Sequence, residues 1–307
     1  MDIFLQQIIN GLVQGSIYAL VALGYTMVYG IMGLINFAHG EVVMIGTLVT
    51  ISVVALLISL GLPVALAGVL GLGVSVLACM ALGWSLERIA YRPLRNAPRL
   101  TPLITAIGMS IILQNLAMMV WGRNYLTFPK LLPAVDFELA GTNFTAVQVI
   151  IVVVSALTMG GLLLLVYRTK LGMAMRATAQ NPQVASLMGV NINRVISAAF
   201  VIGSALGALA GTMVGAYYEI AHYQMGFMLG LKAFTAAVLG GIGNLAGAML
   251  GGVLLGIIEA LGAGYIGELT GGFLGSHYQD IFAFVVLIIV LMFKPSGLFG
   301  EKTGDRA

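Results

Sequence analysis

Charge is what this chain has least of. Asp, Glu, Lys and Arg together make up 8% of its 307 residues, whereas a soluble domain carries about a quarter. A water-exposed globular surface is therefore excluded for most of the chain. Cysteine is nearly absent as well. Cys79 stands alone in an apolar run, which rules out a disulfide framework and a cysteine-based metal site. No Lys or Arg occurs before Arg88, so Met1 and Asp2 provide no basic lead-in. The first apolar stretch also runs into more apolar sequence rather than a small-residue cleavage site, and no cleaved signal peptide is expected.

Catalytic patterns are missing too. There is no G-x-x-x-x-G-K-[ST], so ATP phosphates cannot be cradled in the Walker manner, and there is no H-E-x-x-H. Gly241, Gly243 and Gly247 miss the dinucleotide spacing by one and follow no expected strand. His39, His222 and His277 are far apart in sequence. The expectation is a chain that is not an enzyme, with no cofactor and no metal. Energy for any active transport must come from another chain or from an ion gradient. No direct repeat is visible. Glycine-punctuated apolar stretches at 30–46 and 240–256 leave an inverted repeat open.

What is present is apolar. Sixty per cent of residues are hydrophobic and the mean hydropathy is +1.05, which places the chain in a bilayer throughout. A span needs about 20 apolar residues to cross some 30 Å of hydrocarbon. Candidate spans are 8–30, 40–60, 63–86, 101–121, 146–167, 195–218, 231–262 and 280–294. The 231–262 stretch is too long for one crossing and reads as a short or broken piece plus a full span. The result is an all-α polytopic fold of about eight transmembrane helices, with one or two broken or re-entrant segments, in a single membrane domain over 1–307. Residues 25–41 are a second candidate for a break.

The net charge of +3 is not a nucleic-acid surface, because the basic residues cluster in two loops and a tail. Arg88, Arg92, Arg95 and Arg99 mark 87–100 as cytoplasmic under the positive-inside rule. Residues 122–145 balance Arg123 and Lys130 against Asp136 and Glu138 and are expected outside. Residues 263–280, with Glu268 and Asp280 and no basic residue, are expected outside too. Lys294 returns the C-terminus to the inside, and three spans before Arg88 put the N-terminus outside.

The central polar island, 168–194, holds four of the fourteen basic residues and no acid, so it is expected inside. It contains a short helix with both ends marked. Asn181 caps the free amides, Pro182 suits the first helical position and Gly189 takes the left-handed turn that ends it. Val184, Leu187 and Met188 fall at i, i+3 and i+4 and share one face. Such a stripe outside the membrane reads as a docking element for another protein, with Arg176 and Asn181 helping to hold it. The alternative is an amphipathic loop helix lying on lipid headgroups.

Small residues recur every four positions in two places, Gly203, Gly207, Gly211 and Gly215, then Gly243, Gly247 and Gly251. That spacing lines one ridge of a helix and lets a neighbouring backbone approach closely. Gly240, Gly241, Gly243 and Asn244 instead weaken a helix, by about 1 kcal/mol per Gly relative to Ala. A break at membrane depth is tolerated only against protein or a water-filled cavity, where transporters place their pathways. Asn36, His39 and Glu41 form a polar cluster between two spans. They read either as a pathway or gating cluster or as an interfacial turn that meets water. Glu259, deep in an apolar run, is a functional candidate by default, or else a neutral hydrogen-bonded structural residue. Lys232 and Glu219 flank one segment and read as markers of its end.

With these residues in hand, the chain resembles the smaller, H-type permease subunit of branched-chain amino acid ABC importers. The likeness runs over nearly the whole length. It is carried by GYTMVYG at 24–30, NFAHGE at 36–41 with VVMIG at 42–46, ERIAYRP at 87–93, AIGMS at 106–110 and KAFTAAVLGGIG at 232–243. The outer loop 122–145 matches the family poorly. The family's cytoplasmic E-A-A-x-x-x-G pattern is similar to residues 183–189. Ala185 and Gly189 match there, whereas Gln183 and Val184 replace the acid and the first alanine. The resemblance implies a bacterial inner-membrane location, a second permease subunit, two ABC ATPase subunits and a periplasmic binding protein delivering leucine, isoleucine or valine. It implies no nucleic-acid partner. A rival reading is a stand-alone secondary transporter or channel for small amphipathic solutes, in which Glu259 or Glu41 couples to protons.

Overall fold

A computed structural model describes residues 2–95, 97–98, 100–131, 136–139, 142–270 and 278–300. Its helices are α1 (Asp2–Met32), α2 (His39–Ser59), α3 (Val64–Leu86), α4 (Leu100–Trp121), α5 (Ala146–Arg168), α6 (Lys170–Gln180), α7 (Pro182–Leu187), α8 (Ile192–Tyr218), α9 (Met225–Gly240), α10 (Leu245–Leu269) and α11 (Gln279–Phe293). A π-helical turn, Glu87–Tyr91, continues α3. Among the described residues, seven helices are long and apolar enough to cross a bilayer, while α9 and α11 are shorter apolar helices. The all-α polytopic expectation holds, and about eight is close to the count. The long 231–262 stretch is α9 followed by α10, and the 25–41 break is a non-helical link, 33–38, between α1 and α2.

Four short strands were not expected: β1 (Leu126–Thr127), β2 (Asp136–Leu139), β3 (Thr142–Thr145) and β4 (Ile220–Ala221). β1 pairs antiparallel with β4, and β2 with β3. Arg99, His277, the Glu268 side chain and the loop stretches 132–135, 140–141 and 271–277 lie outside the described residues.

In lipid, apolar surface gives no drive for helices to associate, so close backbone approach and interhelical hydrogen bonds take over. α1 is the centre of the bundle: Ala19 to Leu23 are all inaccessible. It lies against α8, α9 and α10, whereas α3, α4 and α5 leave most of their surface outward. The tightest seam joins α1 to α10. A Cβ on Gly15 would sit 2.7 Å from the Val253 Cα, and one on Gly252 would sit 2.5 Å from the Ala19 Cα. Gly11, Gly15 and Ala19 thus face Gly252, Gly256 and Ala260, each set at spacing four. This seam was visible in the sequence but unclaimed.

The claimed α8 ridge is also a close-packing face. Gly203 meets the Gly24 backbone, Gly207 and Gly211 meet α2, and Gly215 meets Phe128 and Thr47. The Thr47 hydroxyl donates to the Gly211 carbonyl at 2.8 Å and the Ser75 hydroxyl to the Gly46 carbonyl at 2.7 Å, pinning α8 and α3 to α2. On the second ridge, Gly247 meets the Gly240 backbone and Gly251 the Ala236 carbonyl, so both pack α10 on α9. Gly243 is not part of that ridge. It lies in the turn before α10 with φ +96°, a conformation that glycine enters without steric cost.

The turn 87–95, α6, α7, the α9–α10 turn and residues 294–300 gather where α1 ends. The strands and the start of α1 occupy the opposite end, where Gln6 donates to the Asn143 carbonyl at 3.1 Å.

Candidate functional site

At the first end, α7 has the ends its sequence calls for. The Asn181 side-chain oxygen accepts from the amides of Gln183 and Val184, both at 3.1 Å. Gly189, at φ +85°, closes the helix with its amide on the Ser186 carbonyl at 3.0 Å. Val184, Leu187 and Met188 are 52%, 86% and 81% exposed, whereas Ala185 is 4% exposed. Ala185 therefore anchors α7 to its own chain and offers no docking surface, while the other three project away. Arg176 does not reach α7. Its guanidinium lies 5.2 Å from the centroid of Tyr167 on α5. Residues 170–180 form a helix of their own that sequence reading missed. Its signal was Thr169, whose hydroxyl caps the Gly172 amide at 3.1 Å.

Nearby, a hub on Glu87 also escaped notice. The carboxylate is fully buried, is ion-paired with Arg95, and lies 3.5 Å from Arg92. It accepts from Ser197 at 2.7 Å, and Arg95 donates to Asn193 at 2.5 Å. The end of α3 is thereby tied to the first turns of α8, which follow directly on α7.

The glycine stretch 240–244 is a reversing turn rather than a break within one span. Positive φ at Gly241 and Gly243 turns the chain so that α10 runs back along α9. The backbone groups freed there are met by the C-terminal segment. Leu298 donates to Leu239 at 2.8 Å, and Phe299 to Gly240 at 3.0 Å. Asn244 caps α10 at the Gly247 amide, 3.0 Å away, and donates to the Phe299 carbonyl at 2.9 Å. The stretch lies against protein, one of the two settings membrane chemistry allows.

Asn36, His39 and Glu41 are 4%, 2% and 0% exposed, so the interfacial turn that meets water is ruled out. They point to different neighbours. Asn36 accepts from the Tyr91 hydroxyl at 2.6 Å, and Glu41 accepts from Ser110 at 3.0 Å and Gln114 at 2.7 Å on α4. His39 meets Tyr25 edge-on with centroids 5.0 Å apart.

The densest charged constellation lies on α9, α10 and α11. Lys232 Nζ is 2.6 Å from Glu259 Oε1 and 2.6 Å from Asp280 Oδ1. The Tyr18 hydroxyl of α1 donates to Glu259 Oε2 at 2.6 Å. Lys232 is thus not an end marker but the cation that makes the buried Glu259 tolerable. Glu219, its supposed counterpart, lies instead 3.6 Å from Lys130 at the surface. Asp280 belongs to this cluster and not merely to an outer loop. Glu259 is met by the Lys232 ammonium as well as by the Tyr18 hydroxyl, not by hydrogen bonds alone. The signal was available, since a lone Lys and a lone Glu in neighbouring apolar helices have only each other to meet. A cleft of about 300 Å³ opens above Lys232 and Asp280, bordered by Gln14, Tyr18, Tyr218 and Met228.

Comparison with known proteins agrees with this architecture. Residues 7–291 match the family model described as branched-chain amino acid transport system / permease component. The high-affinity branched-chain amino acid transport system permease protein BraD of Pseudomonas aeruginosa is 47% identical, covering 99% of this chain and 98% of that protein. LivH of Escherichia coli (strain K12), with the same description, is 45% identical over 99% and 97% of the two chains. A probable LivH of Methanocaldococcus jannaschii is 28% identical over 97% and 94%. With seven spans of sufficient length, this likeness makes the chain a multi-pass inner-membrane protein. It belongs to the branched-chain amino acid transport system permease family.

Proposed function

We propose that this chain is one permease subunit of an ATP-driven importer for leucine, isoleucine and valine, forming part of the translocation path. A second permease subunit, two separate ATPase subunits and a periplasmic binding protein complete the machine. The observation that carries the reading is α7. It is capped at both ends, anchored through Ala185, and presents Val184, Leu187 and Met188 away from the chain. Exposed apolar patches mark protein or membrane interaction sites, and a stripe projecting from a capped helix outside the spans favours a protein partner. The end bearing 87–95, 168–194 and 294–300 is cytoplasmic, and the strand-bearing end with 122–145 is external.

The mechanism follows from what α7 touches. ATP binding draws the ATPase subunits together and moves α7. That displacement enters α8 through 189–191 and reaches α3 through the Glu87 hub. The seams of small residues let α1, α8 and α10 shift against one another as rigid rods, switching access from one face to the other. Asn36, His39 and Glu41 tie the helices that must move, and 240–244 with the C-terminal segment holds the inner edge. In the rival proton-coupled scheme Glu259 would have to trade protons freely. Its pairing with Lys232 and Tyr18 opposes that.

The test is a pull-down of the tagged chain from mildly solubilised membranes, with co-purifying proteins identified and ATPase activity assayed. Recovery of ATPase subunits, lost when Val184, Leu187 and Met188 are changed to Asp, supports the proposal. Recovery of the chain alone, still moving leucine in vesicles without ATP, overturns it.

A further inference from the structure

The cleft above Lys232 opens at the end of the bundle that carries β1 and β4, with Tyr125, Ile220 and His222 at its rim. Its floor holds one ammonium between two carboxylates. Their accessibilities separate the roles. The Glu259 side chain is 1% exposed and Lys232 11%, but Asp280 is 37% exposed. Glu259 also accepts from Tyr18, so it is fixed in place and holds Lys232 there. Of the two carboxylates, Asp280 is the one that can exchange its partner, because its side chain is far the more exposed. On one wall Met225, Met228 and Leu229 present apolar surface.

We propose that this cleft binds the zwitterionic head of an α-amino acid, with Lys232 taking the carboxylate, Asp280 the ammonium, and the methionine wall the aliphatic side chain. The proposal deepens the permease reading above and rests on it. A zwitterion replaces the Lys232–Asp280 contact with two contacts of the same sign pattern, so neither charge is left unmatched. A monocarboxylic acid leaves Asp280 facing a like charge with its cation taken away. An amine without a carboxylate leaves Lys232 uncompensated on that side. The volume of about 300 Å³ admits one amino acid of leucine size. The site faces the end opposite α7, the side from which an importer's substrate arrives.

A reporter thiol tests this in the complete transporter in membrane vesicles. Cys79 is fully buried, so Met228→Cys supplies the reactive site, with Tyr125→Cys at the rim as a second reporter. Labelling by a membrane-impermeant maleimide is timed with L-leucine, with leucinamide and with 4-methylpentanoate. The proposal expects leucine to slow labelling about tenfold at ten times its half-protecting concentration, as one-site occupancy requires. The two single-charge analogues give no protection at that concentration. Asp280→Asn removes the leucine protection at both reporters. Protection by 4-methylpentanoate equal to that by leucine overturns the proposal, as does undiminished protection in Asp280→Asn or no protection by leucine at either reporter. Leucine uptake in the same vesicles separates the two readings. Uptake without protection sinks the site alone, whereas no ATP-dependent uptake sinks the permease reading and the site with it.

Discussion

Replacing Lys232 by Met asks what the buried charge cluster is worth. Lys232 is 8% exposed and lies 2.6 Å from each of two carboxylates, one of them, Glu259, only 1% exposed. Removing the cation strands Glu259 with a single hydrogen bond from Tyr18 and sets it near Asp280. Breaking a buried pair from one side costs about 3–5 kcal/mol, a fall of roughly 150- to 5,000-fold in the folded-to-unfolded ratio. Glu259→Gln is milder, about 1–2 kcal/mol, because Tyr18 keeps an acceptor and Lys232 keeps Asp280. The double variant Lys232→Met/Glu259→Gln buries no orphaned Glu259 charge and returns to within about 1–2 kcal/mol of the parent. The assay is unfolding of the purified chain in mixed micelles by heat or dodecyl sulfate, followed by helical circular dichroism. A Lys232→Met protein as stable as Glu259→Gln refutes the reasoning, as do single effects that simply add in the double variant.

Three further outcomes are expected. Asn181→Ala removes the cap on α7 and weakens that helix by about 1 kcal/mol, so amides at 183–188 exchange several-fold faster with deuterium while those of α8 do not change. Gly252→Leu pushes side-chain atoms into the Ala19 backbone, where a Cβ already falls 2.5 Å away. It costs at least the 1–3 kcal/mol typical of overpacking, read as a lower melting temperature, while Gly161→Leu, with nothing within 4 Å, has little effect. Glu87→Gln loosens the tie from Arg95 to the start of α8, and limited proteolysis at 92–95 accelerates. Unchanged cleavage there would remove Glu87 from the coupling route.

The site was legible in the sequence where the contacts are local. Asn181, Pro182 and Gly189 act on backbone groups within three residues of themselves, so α7 could be read with both ends in place. Residues 240–244 were read as a break, and the turn is there, but its satisfied carbonyls belong to Leu239 and Gly240 while the donors are Leu298 and Phe299. No local pattern joins those two segments. Asn36, His39 and Glu41 were singled out because polar groups between apolar spans are costly. Their different partners on the 87–91 turn, α1 and α4 were beyond reach.

By itself, the sequence determined that this chain lives in a bilayer, about where its long apolar helices fall, and that a short helix capped at both ends follows Asn181. Each of those rests on composition, on runs of about 20 apolar residues or on capping residues, all of which act along the chain. Only the tertiary structure decided that Gly11, Gly15 and Ala19 meet Gly252 and Gly256, and that Lys232, Glu259 and Asp280 converge under an open cleft. In lipid, apolar faces are nearly interchangeable to one another. Which helix faces which is settled by where small residues permit close approach and where opposite charges can meet, and both are properties of pairs of helices rather than of either alone.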